Sequence, residues 1–144
     1  MPSLNDWFFW AILSALFAAL TAIFAKIGLQ GVDSDFATLI RTFVIIIVLG
    51  MFVYFAGKWS SPFALSQKTW IFLTLSGLAT GASWVCYFRA LKVGEASKVA
   101  PVDKFSLILV AVFAFWFLDE RPNIREWIGI MMVAAGVVVL AFKR

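Results

Sequence analysis

Long runs of apolar residues, separated by short polar segments, fill the chain from one end to the other. The five runs lie near residues 7–26, 37–56, 70–91, 99–118 and 124–142. Each is close to the roughly 20 residues that an α-helix needs to cross the hydrocarbon core of a bilayer. None alternates with a period of two, as the strands of a membrane barrel do. We therefore predict an all-α fold, a polytopic bundle of five membrane-spanning helices that forms a single domain over residues 1–144.

The number of predicted spans is odd, which places the two ends of the chain on opposite sides of the membrane. Five helices are also few for enclosing a solute pathway. The odd count and the small size together predict that the chain needs a partner.

Local signals at the ends of the runs support these boundaries. Asp35 is placed to cap the second helix, and residues 122–126 resemble a capping box that opens the fifth. Pro101 suits the first turn of the fourth helix, where its missing N–H costs nothing. Gly57 and Gly94 lie just beyond the predicted ends of the second and third helices, where a glycine often stops a helix.

Composition narrows the possible functions. Hydrophobic residues make up 63% of the chain and charged residues 14%, against about 25% charged in soluble domains. The chain has no histidine and a single cysteine, Cys86, so it lacks the commonest general base and metal ligand. We predict no enzymatic activity, no cofactor and no metal site. A net charge of +4 is ordinary for a membrane protein with basic loops and is no argument for a nucleic-acid partner.

Tryptophan and basic residues mark opposite sides of the membrane. The side of the N-terminus, called side A, has the interfacial tryptophans Trp7, Trp10, Trp59, Trp70, Trp116 and Trp127. The other side, side B, has most of the basic residues: Lys26, Arg41, Arg89, Lys92, Lys98, Lys104, Lys143 and Arg144. Because cytoplasmic loops are enriched in Lys and Arg, we predict a multi-pass protein of the inner (plasma) membrane with its N-terminus outside and its C-terminus in the cytoplasm.

Three charged residues, Arg41, Asp103 and Lys104, fall within predicted spans. A charge near the centre of a membrane helix costs roughly 3 kcal/mol on insertion scales, so each needs an explanation. If the fourth helix begins near Ala100, Asp103 lies in its first turn, where the helix dipole favours a carboxylate. If it begins near Ala96, Asp103 lies about 10 Å along the helix and needs a partner such as Arg41 or Lys104.

Aromatic residues in the third span suggest a lining for an organic solute. Trp84 and Tyr87 are three residues apart and share a helix face, although packing is the commoner role for such residues. Apolar walls with a few polar groups suit a small-molecule site. The candidate residues of a substrate pathway are therefore Lys26, Arg41, Trp84, Tyr87, Arg89, Asp103 and Lys104.

Several short motifs are similar to those of EamA-domain proteins in the drug/metabolite transporter superfamily. The segment from Ala90 to Pro101 resembles the turn between their third and fourth helices. The similarity continues in residues 118–122, 126–129 and 135–137, and earlier in residues 25–29, which Arg41 follows in the next span. The order and spacing of these motifs carry the resemblance along the whole chain.

The resemblance implies transport of small organic metabolites, with a bilayer and a solute as partners. Family members usually carry two such domains in tandem. Duplicating a five-span unit inverts the second copy, which gives the inverted-repeat design of many secondary transporters. The resemblance thus implies that this chain is one half of such an architecture, which works as a homodimer or with a related five-span partner. Family members often have glycine where this chain has Asp119. Smaller four-span relatives use a carboxylate in their first helix, whereas this chain has only Asp6, at the edge of its first span. An accessory subunit of another membrane protein and a small channel remain as alternatives.

Overall fold

A computed structural model describes the backbone of residues 4–142 and the side chains of residues 7–142. Lys143, Arg144 and the side chain of Asp6 therefore lie outside the described residues. The described chain contains six α-helices and no strand: α1 (Leu4–Gly28), α2 (Ser34–Phe55), α3 (Gln67–Val93), α4 (Ala96–Asp103), α5 (Ser106–Phe117) and α6 (Ile124–Ala141). A short 3₁₀ helix, Pro62–Ala64, lies between α2 and α3.

Five segments of the described chain are long and apolar enough to cross a membrane. They are Trp7–Gly28, Ser34–Phe55, Gln67–Val93, Ala96–Phe117 and Ile124–Ala141. The predicted all-helical membrane fold with five spans is thus confirmed. Large apolar side chains along these helices are mostly exposed in the isolated chain, as expected where lipid is the solvent.

The fourth span consists of two helices rather than one. It begins at Ala96, so the prediction that Pro101 occupies its first turn was wrong: Pro101 is the sixth residue of α4. Proline there has no N–H to donate to the carbonyl of Ser97 and its ring crowds that carbonyl. After Pro101, the backbone winds more tightly than an α-helix. Lys104 N–H donates to the Pro101 carbonyl and Phe105 N–H to the Val102 carbonyl, both at 3.0 Å, which is the three-residue spacing of a 3₁₀ helix.

The start of α2 is capped by Asp33, not by Asp35 as predicted. The Asp33 carboxylate accepts hydrogen bonds from the backbone N–H groups of Asp35 (2.9 Å) and Phe36 (3.1 Å). Asp35 lies two residues further on, in the first turn of the helix. Its carboxylate is therefore available for another partner.

Left-handed backbone conformations end two of the helices. Gly57 has φ +64°. It donates to the Tyr54 carbonyl, and Lys58 donates to the Val53 carbonyl, which together make a Schellman motif. Asp119 has φ 54° directly after the α5 cap. This explains why glycine suits the position: it adopts positive φ without a Cβ clash, and aspartate is among the few other residues that tolerate it.

The predicted capping box at the start of α6 is confirmed. Asn123 accepts hydrogen bonds from the N–H groups of Arg125 (2.9 Å) and Glu126 (3.1 Å). The Glu126 carboxylate in turn accepts from the Asn123 N–H at 2.6 Å. Three N–H groups at the start of the helix, which have no carbonyl partner within it, are thus satisfied by side chains.

Replacing Asn123 with alanine should destabilise the protein by about 1 kcal/mol, because the cap is lost while the rest of α6 is unchanged. Chemical denaturation of the purified protein in detergent measures this change. Asn123→Asp, which keeps a capping oxygen, should retain most of the stability. Equal stability of the alanine variant and the wild type would contradict a stabilising role for the box.

The chain divides into two compact units. The α2–α3 unit comprises residues 23–93, and in it α2 packs against α3. Of the residues that the structure describes, the α4–α6 unit comprises 4–22 and 94–142, and in it α4 and α5 both pack against α6. The candidate pathway residues are distributed between these units.

Candidate solute site

The face of α2 that is least exposed is polar. Ser34 and Thr38 are buried, and Arg41 and Thr42 are half-buried. Their spacing of three to four residues places them on one side of the helix. The Thr38 hydroxyl donates to the Ser34 carbonyl and the Thr42 hydroxyl to the Thr38 carbonyl, each at 2.8 Å. Both threonine hydroxyl protons are therefore used within the helix, and Arg41 supplies the charged group of this face.

Arg41 of α2 lies against aromatic rings of α3. Its Cζ atom is 4.5 Å from the centroid of the Trp84 ring and 5.0 Å from that of Phe88. Both distances are within the range of a cation–π interaction. Tyr87 is close enough to Arg41 to interact with it electrostatically. The structure thus brings together three of the candidate residues, Arg41, Trp84 and Tyr87.

Sequence reasoning missed the role of Phe88. Residues four apart lie on the same face of a helix, so Phe88 was identifiable as the neighbour of Trp84. Phe88 is almost fully buried. Its buried ring therefore contacts the guanidinium from a fixed position between the helices.

Arg89 is paired with a carboxylate that the sequence had suggested only as a helix cap. Its Nε donates to Asp35 Oδ1 at 2.9 Å and its Nη2 to Asp35 Oδ2 at 2.6 Å. This is the bidentate geometry in which arginine binds carboxylates most specifically. The pair links the first turn of α2 to the last part of α3.

The ion pair between Asp35 and Arg89 should be measurable as thermodynamic coupling between the two residues. We expect Asp35→Asn and Arg89→Gln each to lower the melting temperature, and the double variant to be no less stable than the poorer single variant. Both side chains are well exposed, so the individual effects should be small. A thermal-unfolding double-mutant cycle measures the coupling, and strictly additive losses would mean that the two residues act independently.

Two lysines of the same unit bind backbone carbonyls. Lys26 Nζ donates to the Leu91 carbonyl near the end of α3. Lys92 Nζ donates to the Val32 carbonyl, in the segment between α1 and α2, at 2.6 Å. Lysine side chains commonly satisfy carbonyls at helix ends. Together with Arg89, these lysines tie the end of α3 to the end of α1, to the segment between α1 and α2, and to the first turn of α2.

The remaining candidates, Asp103 and Lys104, lie in the α4–α6 unit. Because the helix begins at Ala96, Asp103 is the last residue of α4 rather than a first-turn residue. Its carboxylate is 3.6 Å from Lys104 Nζ, and both side chains are partly exposed. Of the two arrangements considered for this span, the structure has the one in which Asp103 takes a neighbouring base as its partner.

An open groove runs between α5 and α6 in the same unit. It has a volume of about 570 Å³, with an apolar floor that includes Val110, Ala114 and Ile130. Glu120, Arg121 and Glu126 line it as well. None of the predicted pathway residues lines this groove.

Comparison with known proteins gives a match along nearly the whole chain. Residues 5–142 match the model of the EamA-like transporter family. The uncharacterized transporter in the cobO 3′ region of Sinorhizobium sp. is 56% identical over 137 residues, which are 95% of this chain and 97% of that protein. The uncharacterized transporter YxxF of Bacillus subtilis is 28% identical over 136 residues, which are 94% of this chain but 42% of that protein.

A further similarity is to a protein named as a probable flippase subunit. The probable 4-amino-4-deoxy-L-arabinose-phosphoundecaprenol flippase subunit ArnE of Pseudomonas fluorescens is 29% identical over 84 residues, or 58% of this chain and 65% of that protein. No solved structure matches the chain.

Proposed function

Because the chain belongs to the EamA-like transporter family, we propose that it is a secondary transporter of small organic metabolites that works as a dimer. The observation that carries this proposal is the share of each relative's length that the match to this chain covers. The matched region fills one relative almost completely and makes up less than half of another. A region similar to this chain thus makes up nearly the whole of one relative and part of a longer one. Since secondary transporters place their solute between two related units, a unit that occurs alone is expected to pair with another.

Within the α2–α3 unit, the proposed pathway residues are Arg41, Trp84 and Tyr87. Asp103 and Lys104, which pair with each other in the α4–α6 unit, are proposed as pathway residues of that unit. A guanidinium beside aromatic rings combines apolar contact area with a group that orients a polar solute. Lys26 and Arg89 support this site by fixing the end of α3 through their bonds to Leu91 and Asp35.

Transport is tested with purified protein reconstituted into lipid vesicles. Vesicles containing the protein should take up at least one solute from a panel of labelled amino acids, organic acids and amines, at a rate that saturates with concentration. A current that rises linearly with voltage and does not saturate would indicate a channel instead. No protein-dependent flux of any solute, from protein that is folded and monodisperse, would contradict the proposal.

Orientation in the membrane bears on how two copies pair. We propose that the chain inserts with its N-terminus outside and its C-terminus in the cytoplasm, since its basic residues concentrate on side B. Reporter tags at both ends should then give a single orientation, and the partner would be a parallel copy or an oppositely oriented five-span protein. Equal populations of both orientations would contradict the assignment and indicate an antiparallel homodimer.

A second candidate function is that of an accessory subunit, which the similarity to ArnE favours because that relative is named as a flippase subunit. In this case, mild detergent extraction from the native host should recover a second membrane protein in fixed ratio with the chain. The purified chain alone would show no flux, and adding the partner would restore it. Recovery of the chain only as a homo-oligomer would argue against this function.

A further inference from the structure

The structure describes the side chains of six of the basic residues that the sequence assigns to side B. Arg41 differs from the other five in the kind of group that it contacts. Lys26 and Lys92 donate to backbone carbonyls. Arg89, Lys98 and Lys104 each pair with a carboxylate. Within residues 7–142, the interactions found for Arg41 are with Trp84, Phe88 and Tyr87, and none is a hydrogen bond to an acceptor.

The position of Arg41 makes this arrangement costly. It is the eighth residue of the 22-residue helix α2, so it lies about 10 Å from the start of that helix. It is half-buried against α3. Arginine within a membrane helix is rare and is ordinarily paired or functional. A ring face attracts the positive charge, but it does not provide the oxygen acceptors that the five guanidinium N–H groups require.

From this geometry we infer that Arg41 is an anion-binding residue, which takes a carboxylate or phosphate group of the ligand while Trp84 and Phe88 hold the guanidinium in place. A guanidinium presents parallel N–H groups that match the two oxygens of a carboxylate or phosphate. Because the rings of Trp84 and Phe88 have no oxygen, they do not occupy the N–H groups of Arg41, which are left for the ligand. The inference rests on the proposed function and narrows its solutes to organic anions.

The same chemistry is available from two sources, a soluble organic anion and the phosphate of a lipid headgroup. Both supply oxygens in a suitable geometry, and Arg41 is close enough to one end of its span for a headgroup to reach. The experiment therefore has one arm for each source.

Binding is measured separately from transport, by thermal unfolding of purified protein in phosphatidylcholine nanodiscs. Succinate and glycerol 3-phosphate are the anionic probes, and succinamide and glycerol are their neutral counterparts, all at equal ionic strength. In the lipid arm, phosphatidylglycerol replaces part of the phosphatidylcholine. Ligands that bind the folded state raise the melting temperature with concentration.

We expect an anionic probe or the anionic lipid, but no neutral counterpart, to stabilise the wild type. Arg41→Gln should weaken that binding at least about tenfold, because a charge-assisted bidentate pair is lost. Arg41→Lys, which keeps the charge without the planar fork, should be intermediate and also serves if the glutamine variant folds poorly. The matched control is Arg125→Gln, which removes an exposed arginine from the first turn of α6 and should bind as the wild type does.

Stabilisation by a soluble anion would assign the site to the solute, and stabilisation by phosphatidylglycerol alone would assign it to a headgroup. The inference is overturned if folded Arg41→Gln and wild type respond equally to every anion, or if neither responds at all. Failure of the transport proposal is distinguishable, because anion binding that depends on Arg41 can persist in a protein that shows no flux.

Discussion

Purified Arg41→Gln protein should transport its solute at least about tenfold more slowly than the wild type, while keeping its helical content and its elution volume in detergent. The glutamine has a similar length but no charge and no guanidinium fork, so a hydrogen bond to a charged group, worth about 1.5–3 kcal/mol, is lost from the pathway. The rings of Trp84 and Phe88 remain, which preserves the packing between α2 and α3. Initial rates of uptake into vesicles, measured at limiting solute concentration, give the ratio of kcat/KM directly.

The control for this prediction is again Arg125→Gln, which lowers the net charge by the same amount at an exposed position. Its uptake should be within about twofold of the wild type, because surface charges act weakly. Equal loss in both variants would assign the effect to overall charge, and full activity of Arg41→Gln would remove Arg41 from the pathway.

Pro101→Ala should make the protein more stable, by up to about 3 kcal/mol. Alanine restores the N–H that can donate to the Ser97 carbonyl, which matters more in lipid than in water because no solvent replaces the missing bond. The restored bond should also relieve the tightened backbone after Pro101, so that α4 and α5 continue as one helix across Lys104 and Phe105. Thermal and denaturant unfolding in detergent measure the stability, and amide hydrogen exchange at residues 104–108 measures the continuity of the helix.

Transport by the same variant should slow, because a break within a membrane span lets its two parts move separately during a transport cycle. Pro62→Ala is the matched control. Pro62 opens the exposed 3₁₀ helix between α2 and α3, where a missing N–H costs nothing, so its replacement should give no gain in stability. A Pro101→Ala protein that is no more stable than the wild type would mean that the span is broken for a reason other than the proline.

The spans were predictable from the sequence because each depends on a continuous local signal. An apolar run of sufficient length specifies a membrane helix whatever its neighbours are. The box of Asn123 and Glu126 is equally local, since both halves of it lie within four residues. Position 119 is local in the same way. Family members often have glycine there, and the reason is a single backbone angle, the positive φ of Asp119.

Two helix starts were mispredicted because neighbouring signals competed. Asp33 and Asp35 are both good caps, and the choice depends on how the chain leaves the turn at Gly31, which has φ +74°. Pro101 is typical of a first turn, yet α4 begins five residues earlier, where Glu95 precedes it and pairs with Lys98 at 2.6 Å. The stability of that earlier turn outweighs the preference of proline.

The candidate site was predictable as a set of residues but not as an arrangement. Charge within an apolar run identified Arg41, and aromatic content identified Trp84 and Tyr87. Whether Arg41 meets a ring or a carboxylate depends on the register between α2 and α3, which no local pattern specifies. For the same reason, the sequence did not reveal that Asp35 pairs with Arg89 or that Lys26 and Lys92 bind carbonyls.

The central claim is that two copies of this chain build one solute pathway. It is tested most directly by co-expressing wild-type and Arg41→Gln chains in known ratios, reconstituting them together and measuring uptake per total protein. If both copies must supply Arg41, random pairing at a one-to-one ratio should leave about one quarter of the wild-type activity. Activity that falls only in proportion to the wild-type fraction, to about one half at the same ratio, would mean that each chain transports alone and would contradict the claim.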